Sequence, residues 1–378
     1  MARLPVPGSD QGSWGDILND YLSQSLNTDG TLKSGVVGAA QIASNAITGS
    51  KIADGSITNA KLAASTTSSN SGIRSFQIFY APPNTMNGRF SDDYAAASLA
   101  RYDDVVLGTG LEDPGNIYYA STKNIIEKLA SLSPSTVVWG YINVGVTTGN
   151  LSLATLQMQV DQWITAGAKG IFLDTFGYDY QVPRARQTSI LNYIHSKNIG
   201  AIINVWNADD ALSANVDATY NPTGAPTVAN SSDVLLLESW VCNSDAYSSP
   251  YYATISDVKT RGDKAIAYRT GLGIRIYAAN IMLHTGTSDA TIDNYRGVSE
   301  GLARAWRLDG TALSASNYSS TGSDSGVIRP RFSQYQNIPL RQSGTYILNG
   351  GWTTIEAPDL GITINYDPGT STFDWQQI

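Results

Sequence analysis

The chain has 378 residues, 42% of them hydrophobic and only 15% charged, which suits one large folded domain with smaller parts and argues against disorder. A net charge of −8 gives no electrostatic reason to expect nucleic acid or an anionic membrane as partner. With a single cysteine, Cys242, and two histidines, His195 and His284, an internal disulfide and a multi-cysteine zinc site are excluded, and no cofactor or metal is expected.

The N-terminal part differs from the rest. "MARLPVPGSDQGSWGD" has no apolar signal core, and no stretch of the chain nears the ~18 apolar residues of a membrane span. A protein of this kind acting outside a cell is expected to leave by lysis or on a particle. Residues 36–72 hold a ten-residue repeat, "IASNAITGSK" (42–51) followed by "IADGSITNAK" (52–61). Each copy offers so few apolar residues that a lone chain cannot bury them, which favours an oligomerising stalk over a flexible linker. Residues 1 to about 65 resemble the opening segment and stalk repeats of phage tail or head fibre proteins. That resemblance implies a virion-anchoring segment over 1–35, contact with other virion proteins, and a homotrimer.

From 73 to 318, short apolar runs alternate with amphipathic segments, the signature of βα units around a parallel sheet. The predicted strands are "SFQIFY" (75–80), "DVVLG" (104–108), "TVVWGYI" (136–142), "GIFLD" (170–174), "GAIINV" (200–205), "DVLLLE" (233–238), "KAIAY" (264–268) and "TALSAS" (311–316). The predicted helices are 121–132, 153–167, 186–198 and 291–306, the third of them placing His195 on a surface. This count predicts an α/β fold, a (β/α)8 TIM-like barrel. A doubly wound sheet is the rival, but no Gly-x-Gly-x-x-Gly or P-loop follows any strand. Residues 319–378 alternate aromatic and β-branched residues around turn formers and predict a small β-rich module, where Trp352, Tyr366 and Trp375 serve packing or contact sugar.

Catalytic groups of a parallel barrel sit at the C-terminal strand ends. Asp174 and Glu238 each end an apolar strand, so both carboxylates are expected at one open mouth, an arrangement suited to glycosidic cleavage. Strand ends also supply Tyr80, Tyr141, Asn143, Asn204, Trp206, Asn207, Trp240, Tyr268 and Arg269 as candidate sugar contacts. Asp179 reads as a loop acid and Cys242 as a buried free thiol.

The ordered motifs "VVWGYINVG", "AGAKGIFLDTFGYD", "HSKNIGAIINVWN", "LLLESWVC" and "KAIAYRTG" resemble the barrel core of endo-α-1,4-polygalactosaminidase-like glycoside hydrolases. The resemblance implies that Asp174 and Glu238 are the catalytic carboxylates and that Tyr141, Asn143 and Asn207 touch substrate. Two departures stand out: Thr175 occupies the place where that family usually has Asn, and asparagines stand at both 204 and 207. The sequence thus predicts a phage fibre or receptor-binding protein whose barrel binds and hydrolyses host surface polysaccharide. A non-catalytic virion adhesin and a secreted bacterial hydrolase are the alternatives.

Overall fold

The computed structural model describes residues 3–33, 36, 73–245, 249–282 and 289–315, together with 347–349, 354–357, 362–367 and 372–377. The repeat at 42–61 lies outside the described residues. Two units are distinguished, Met1–Ser68 and Ser69–Ile378. In the first, α1 (Trp14–Leu22) has no buried residue. Ahead of it, Asp10 takes both arms of the Arg3 guanidinium at 2.7 Å, and that bond holds its carboxyl at about 2, below the usual range.

The second unit is built on a closed barrel. Its parallel strands are β1 (Arg74–Phe79), β2 (Asp104–Leu107), β3 (Val137–Asn143), β4 (Gly170–Asp174), β5 (Gly200–Asn204) and β6 (Val234–Glu238). A hairpin, β7 (Cys242–Asp245) and β8 (Ser249–Tyr252), then intervenes before β9 (Arg275–Met282) and β10 (Gly310–Ala315) close the ring against β1. Around it run α2 (Asp92–Leu99), α3 (Tyr119–Leu132), α4 (Leu153–Ala166), α5 (Arg184–Ser196), the short α6 (Ala208–Leu212), α7 (Ile255–Leu272) and α8 (Asp289–Ala305). The predicted (β/α)8 barrel is therefore present, with one strand misplaced. "KAIAY" lies inside α7, whose buried residues Ile255, Val258, Gly262 and Ala265 are spaced three and four apart on one helical face. Thr254 caps that helix by accepting from the Asp257 amide, and Gly273, at φ 69°, ends it. The strand of this βα unit is "RIYAANIM", β9.

Alternate residues point into the ring. Trp139, Phe172, Ile202 and Leu236 form part of its buried interior. At its N-terminal end, Asp104 at the start of β2 accepts from Trp139 Nε1 (2.9 Å), Tyr277 Oη (2.8 Å) and Arg74 Nε (2.6 Å). That knot satisfies a fully buried carboxylate. His195 is not a plain surface residue, because its Nε2 donates to the buried Asp233 at 3.0 Å, just before β6.

Beyond the barrel, β11 (Ile347–Asn349), β12 (Thr354–Ala357), β13 (Ile362–Asp367) and β14 (Thr372–Gln377) form an antiparallel sheet. Ile364, Tyr366 and Phe373 join the core cluster, and the Tyr252 ring meets Phe373 at 5.3 Å. Tyr366 thus serves packing, while Trp352 lies outside the described residues.

Candidate active site

Period-two alternation carries four polar side chains to the mouth above the apolar interior. Two residues beyond Trp139, Phe172, Ile202 and Leu236 stand Tyr141, Asp174, Asn204 and Glu238. Strand order does the rest, since β5 lies between β4 and β6. The register pairs Leu173 with Ile203 and Asn204 with Leu236, so Asn204 stands between the two acids.

One atom joins them. Asn204 Nδ2 donates to Asp174 Oδ1 at 2.7 Å and to Glu238 Oε2 at 3.0 Å. Oxygens that share one amide nitrogen at such lengths lie within about 6 Å of each other. Tyr141 Oη donates to Asp174 Oδ2 at 2.5 Å, and the Thr175 amide donates to Oδ1 at 2.9 Å. Burial pushes the Asp174 carboxyl pKa up, and these three donors pull it the other way without cancelling the rise. Burial, followed by the charges of Asp174 and Glu238, drives the Tyr141 phenol upward, so it stays protonated and keeps donating. Asn204 Oδ1 is buried and has no partner among the described residues.

The residue after each acid has a left-handed backbone, Thr175 at φ 55° and Ser239 at φ 49°. Neither is glycine, so both turns carry strain that their neighbours must hold. Thr175 Oγ1 donates to Asn143 Oδ1 at 2.8 Å and receives the Gly145 amide at 2.9 Å. The turn at Ser239 is held by Arg261 of α7, described below, and by Asn280 of β9, whose Oδ1 accepts from the amides of Val241 (2.8 Å) and Cys242 (3.1 Å).

The other predicted contacts divide. Tyr80 stands edge-on to Tyr141, their ring centres 5.5 Å apart, and joins the mouth. Trp206 follows β5 and is 55% exposed. Asn207 caps α6 by accepting from the Asp209 amide. Asn143 spends its Oδ1 on Gly145, Thr148 and Thr175, which fastens the β3 and β4 loops to each other.

Three expectations need correction. Trp240 is fully buried, with Nε1 donating to the Val258 carbonyl at 2.9 Å, so its ring packs α7 and cannot face a sugar. Tyr268 and Arg269 are helical, not at a strand end. Tyr268 Oη donates to Asp209 at 2.7 Å, while Arg269 pairs with Asp309 at 2.6 Å, beside the N-terminal end of β10 and away from the mouth. Asp179 lies exposed on the Tyr178–Tyr180 turn. Cys242 is buried against Ser299, and burial pushes its thiol up to about 12, which leaves it no thiolate character. Arg261 and Asn280 were missed because nothing local in sequence marks a residue that grips a loop from another element.

The fold and site together define a (β/α)8 barrel with a bridged carboxylate pair at its mouth. No protein-family profile matches the sequence, and no curated protein does. Among solved structures, the chain is similar to the glycoside hydrolase domain of PelA from Pseudomonas aeruginosa: 15% identity, 68% of this chain and 98% of that one, TM-score 0.38. It is also similar to the endo-β-1,4-glucanase Xac0029 from Xanthomonas axonopodis pv. citri, at 10% identity over 65% and 87% of the two chains, with TM-score 0.38. The tryptophan synthase α subunit of Legionella pneumophila is similar at 9% identity over 64% and 80%, with TM-score 0.36. Likeness of this degree extends across barrels of unrelated chemistry.

Proposed function

We propose that this chain is a phage virion fibre or receptor-binding protein whose barrel hydrolyses host surface polysaccharide. The observation that carries the hydrolase reading is the single Asn204 amide bonded to both Asp174 and Glu238 at the barrel mouth. Two carboxyl oxygens held within about 6 Å favour the close spacing of retaining glycosidases over the wider one that leaves room for a water in inverting enzymes.

Asp174 is the nucleophile in this reading. Two N–H donors fix its Oδ1 and the Tyr141 hydroxyl meets Oδ2, which aligns the carboxylate and stabilises its ionised form. Glu238 is the acid. As Asp174 attacks the anomeric carbon, the bond from that carbon to the bridging oxygen breaks and the Glu238 proton passes to that oxygen. Water then attacks the glycosyl–Asp174 ester, returns its proton to Glu238 and frees the Asp174 carboxylate. Tyr80 and the open ring of Trp206 supply aromatic faces for the sugar.

The virion role is supported by the resemblance of residues 1 to about 65 to fibre anchors and stalks, which also supports contact with other virion proteins, a homotrimer and a place on the particle surface. The test is to incubate the full chain with α-1,4-galactosamine polymers and with bacterial wall polysaccharide and to count new reducing ends. Asp174→Asn and Glu238→Gln are each expected to lower the rate by more than about 10³-fold while the protein stays folded. Proton NMR of the first product is expected to show retained anomeric configuration. Tight binding without new reducing ends, untouched by either substitution, makes the chain an adhesin instead.

A further inference from the structure

Arg261 lies on α7 and reaches across to the loop that follows Glu238. Its Nη2 donates to the Glu238 carbonyl at 2.6 Å and its Nη1 to the Ser239 carbonyl at 3.1 Å. The guanidinium carbon stands 4.5 Å from the centre of the Trp206 ring. Burial pushes the Arg261 pKa down, its Nε is buried without a partner among the described residues, and its Nη atoms bond backbone carbonyls, not a carboxylate. The charges of Glu238 and Asp257 favour its charged form without offsetting burial, and a sunken cation with no directly bonded carboxylate is costly unless other groups hold it. Here two carbonyls and an indole face do so.

The arrangement has a second consequence. Trp206 rests against a cation yet remains 55% exposed, which leaves an indole surface free at the mouth. Such a surface suits the apolar face of a pyranose. Arg261 also joins it to one acid in particular, since its bonds go to the backbone of Glu238 and Ser239 and to nothing on β4.

We propose that Trp206, braced by Arg261, is the platform for the sugar on the leaving-group side of the scissile bond, and that Arg261 couples its occupancy to the position of Glu238. The proposal rests on the hydrolase reading, in which Glu238 protonates the leaving oxygen. A sugar stacked on Trp206 presses the ring onto the guanidinium, and the guanidinium holds the strained turn at Ser239 that aims the acid. Arg261 is a positioning residue, and Trp206 selects substrates that continue beyond the cleaved bond.

The test compares two probes on the full chain: an α-1,4-galactosamine oligomer, whose leaving group is a sugar, and 2,4-dinitrophenyl α-galactosaminide, whose leaving group needs neither platform nor acid. Trp206→Ala and Arg261→Met are expected to lower the oligomer-to-aryl ratio of kcat/KM by about tenfold or more, and Arg261→Lys to recover part of it. The double variant is expected to be no worse than the poorer single one, because the pair acts as a unit. Equal loss on both probes, or additive losses, overturns the proposal. Should the unaltered chain cleave neither probe nor bacterial wall polysaccharide, the hydrolase reading fails, and hydrogen exchange over 234–241 with oligomer-binding titrations decides the platform separately. Faster exchange in Arg261→Met together with weaker binding in both variants sustains it, and the failure of either overturns it.

Discussion

Asp174 sets burial against hydrogen bonding at the scale of one side chain. Three donors favour its charge, yet the surrounding protein favours the neutral form more, so its pKa is raised in the folded state. The folded chain binds this proton more tightly than the unfolded one, so the stabilisation is full below the unfolded value of about 3.9 and is lost as pH rises through the raised value. Above that raised value the ionised carboxylate weakens the fold, the cost of holding a nucleophile in a buried place. Asp174→Asn, which mimics the neutral form, is expected to raise the melting temperature at pH 7, with the gain shrinking toward pH 4. Thermal melts across that range check it, and a lower melting temperature at pH 7 would show that the donors outweigh burial. If Asp174 is the nucleophile, the acid side of the rate profile is also expected to fall off above about 3.9.

At the scale of the element, β3 and α4 show how packing reaches the site. Gly140 leaves room for the fully buried Trp163, and a Cβ there would sit 2.2 Å from the indole. Trp163 Nε1 donates to the Tyr141 carbonyl at 3.0 Å, which fixes the residue whose hydroxyl meets Asp174. Gly140→Ala is therefore expected to cost about 1–3 kcal/mol of stability and to loosen Tyr141. Urea unfolding measures the first effect, and unchanged stability would mean that α4 slides freely over β3. The same scale explains the misread strand. "KAIAY" has the apolar density of a short strand, and only the cap at Thr254 and the buried face from Ile255 to Ala265 show a helix of more than four turns.

For the whole molecule, the division at Ser68 and Ser69 separates two units of different composition. Deleting residues 1–68 is expected to leave a folded barrel with an unchanged melting temperature and, on the stalk reading, to convert a trimer into a monomer. Light scattering and thermal melting check both, and a fragment that does not fold would show that the barrel needs its N-terminal part. The C-terminal sheet differs in this respect, because Ile364, Tyr366 and Phe373 are buried in the cluster that packs the barrel helices. Its removal is expected to uncover apolar surface.

Much of this was legible along the chain because it depends on local periods. Short apolar runs alternating with amphipathic segments identified seven of the eight barrel strands and placed Asp174 and Glu238 at strand ends. Tyr141 and Asn204 were among the polar residues expected at the same strand ends. What the chain could not disclose was strand order and register, which depend on contacts between segments far apart in sequence. Those alone set Asn204 between the two acids, buried Trp240 beneath α7, carried Arg269 to the opposite end of the ring, and brought Arg261 under Trp206.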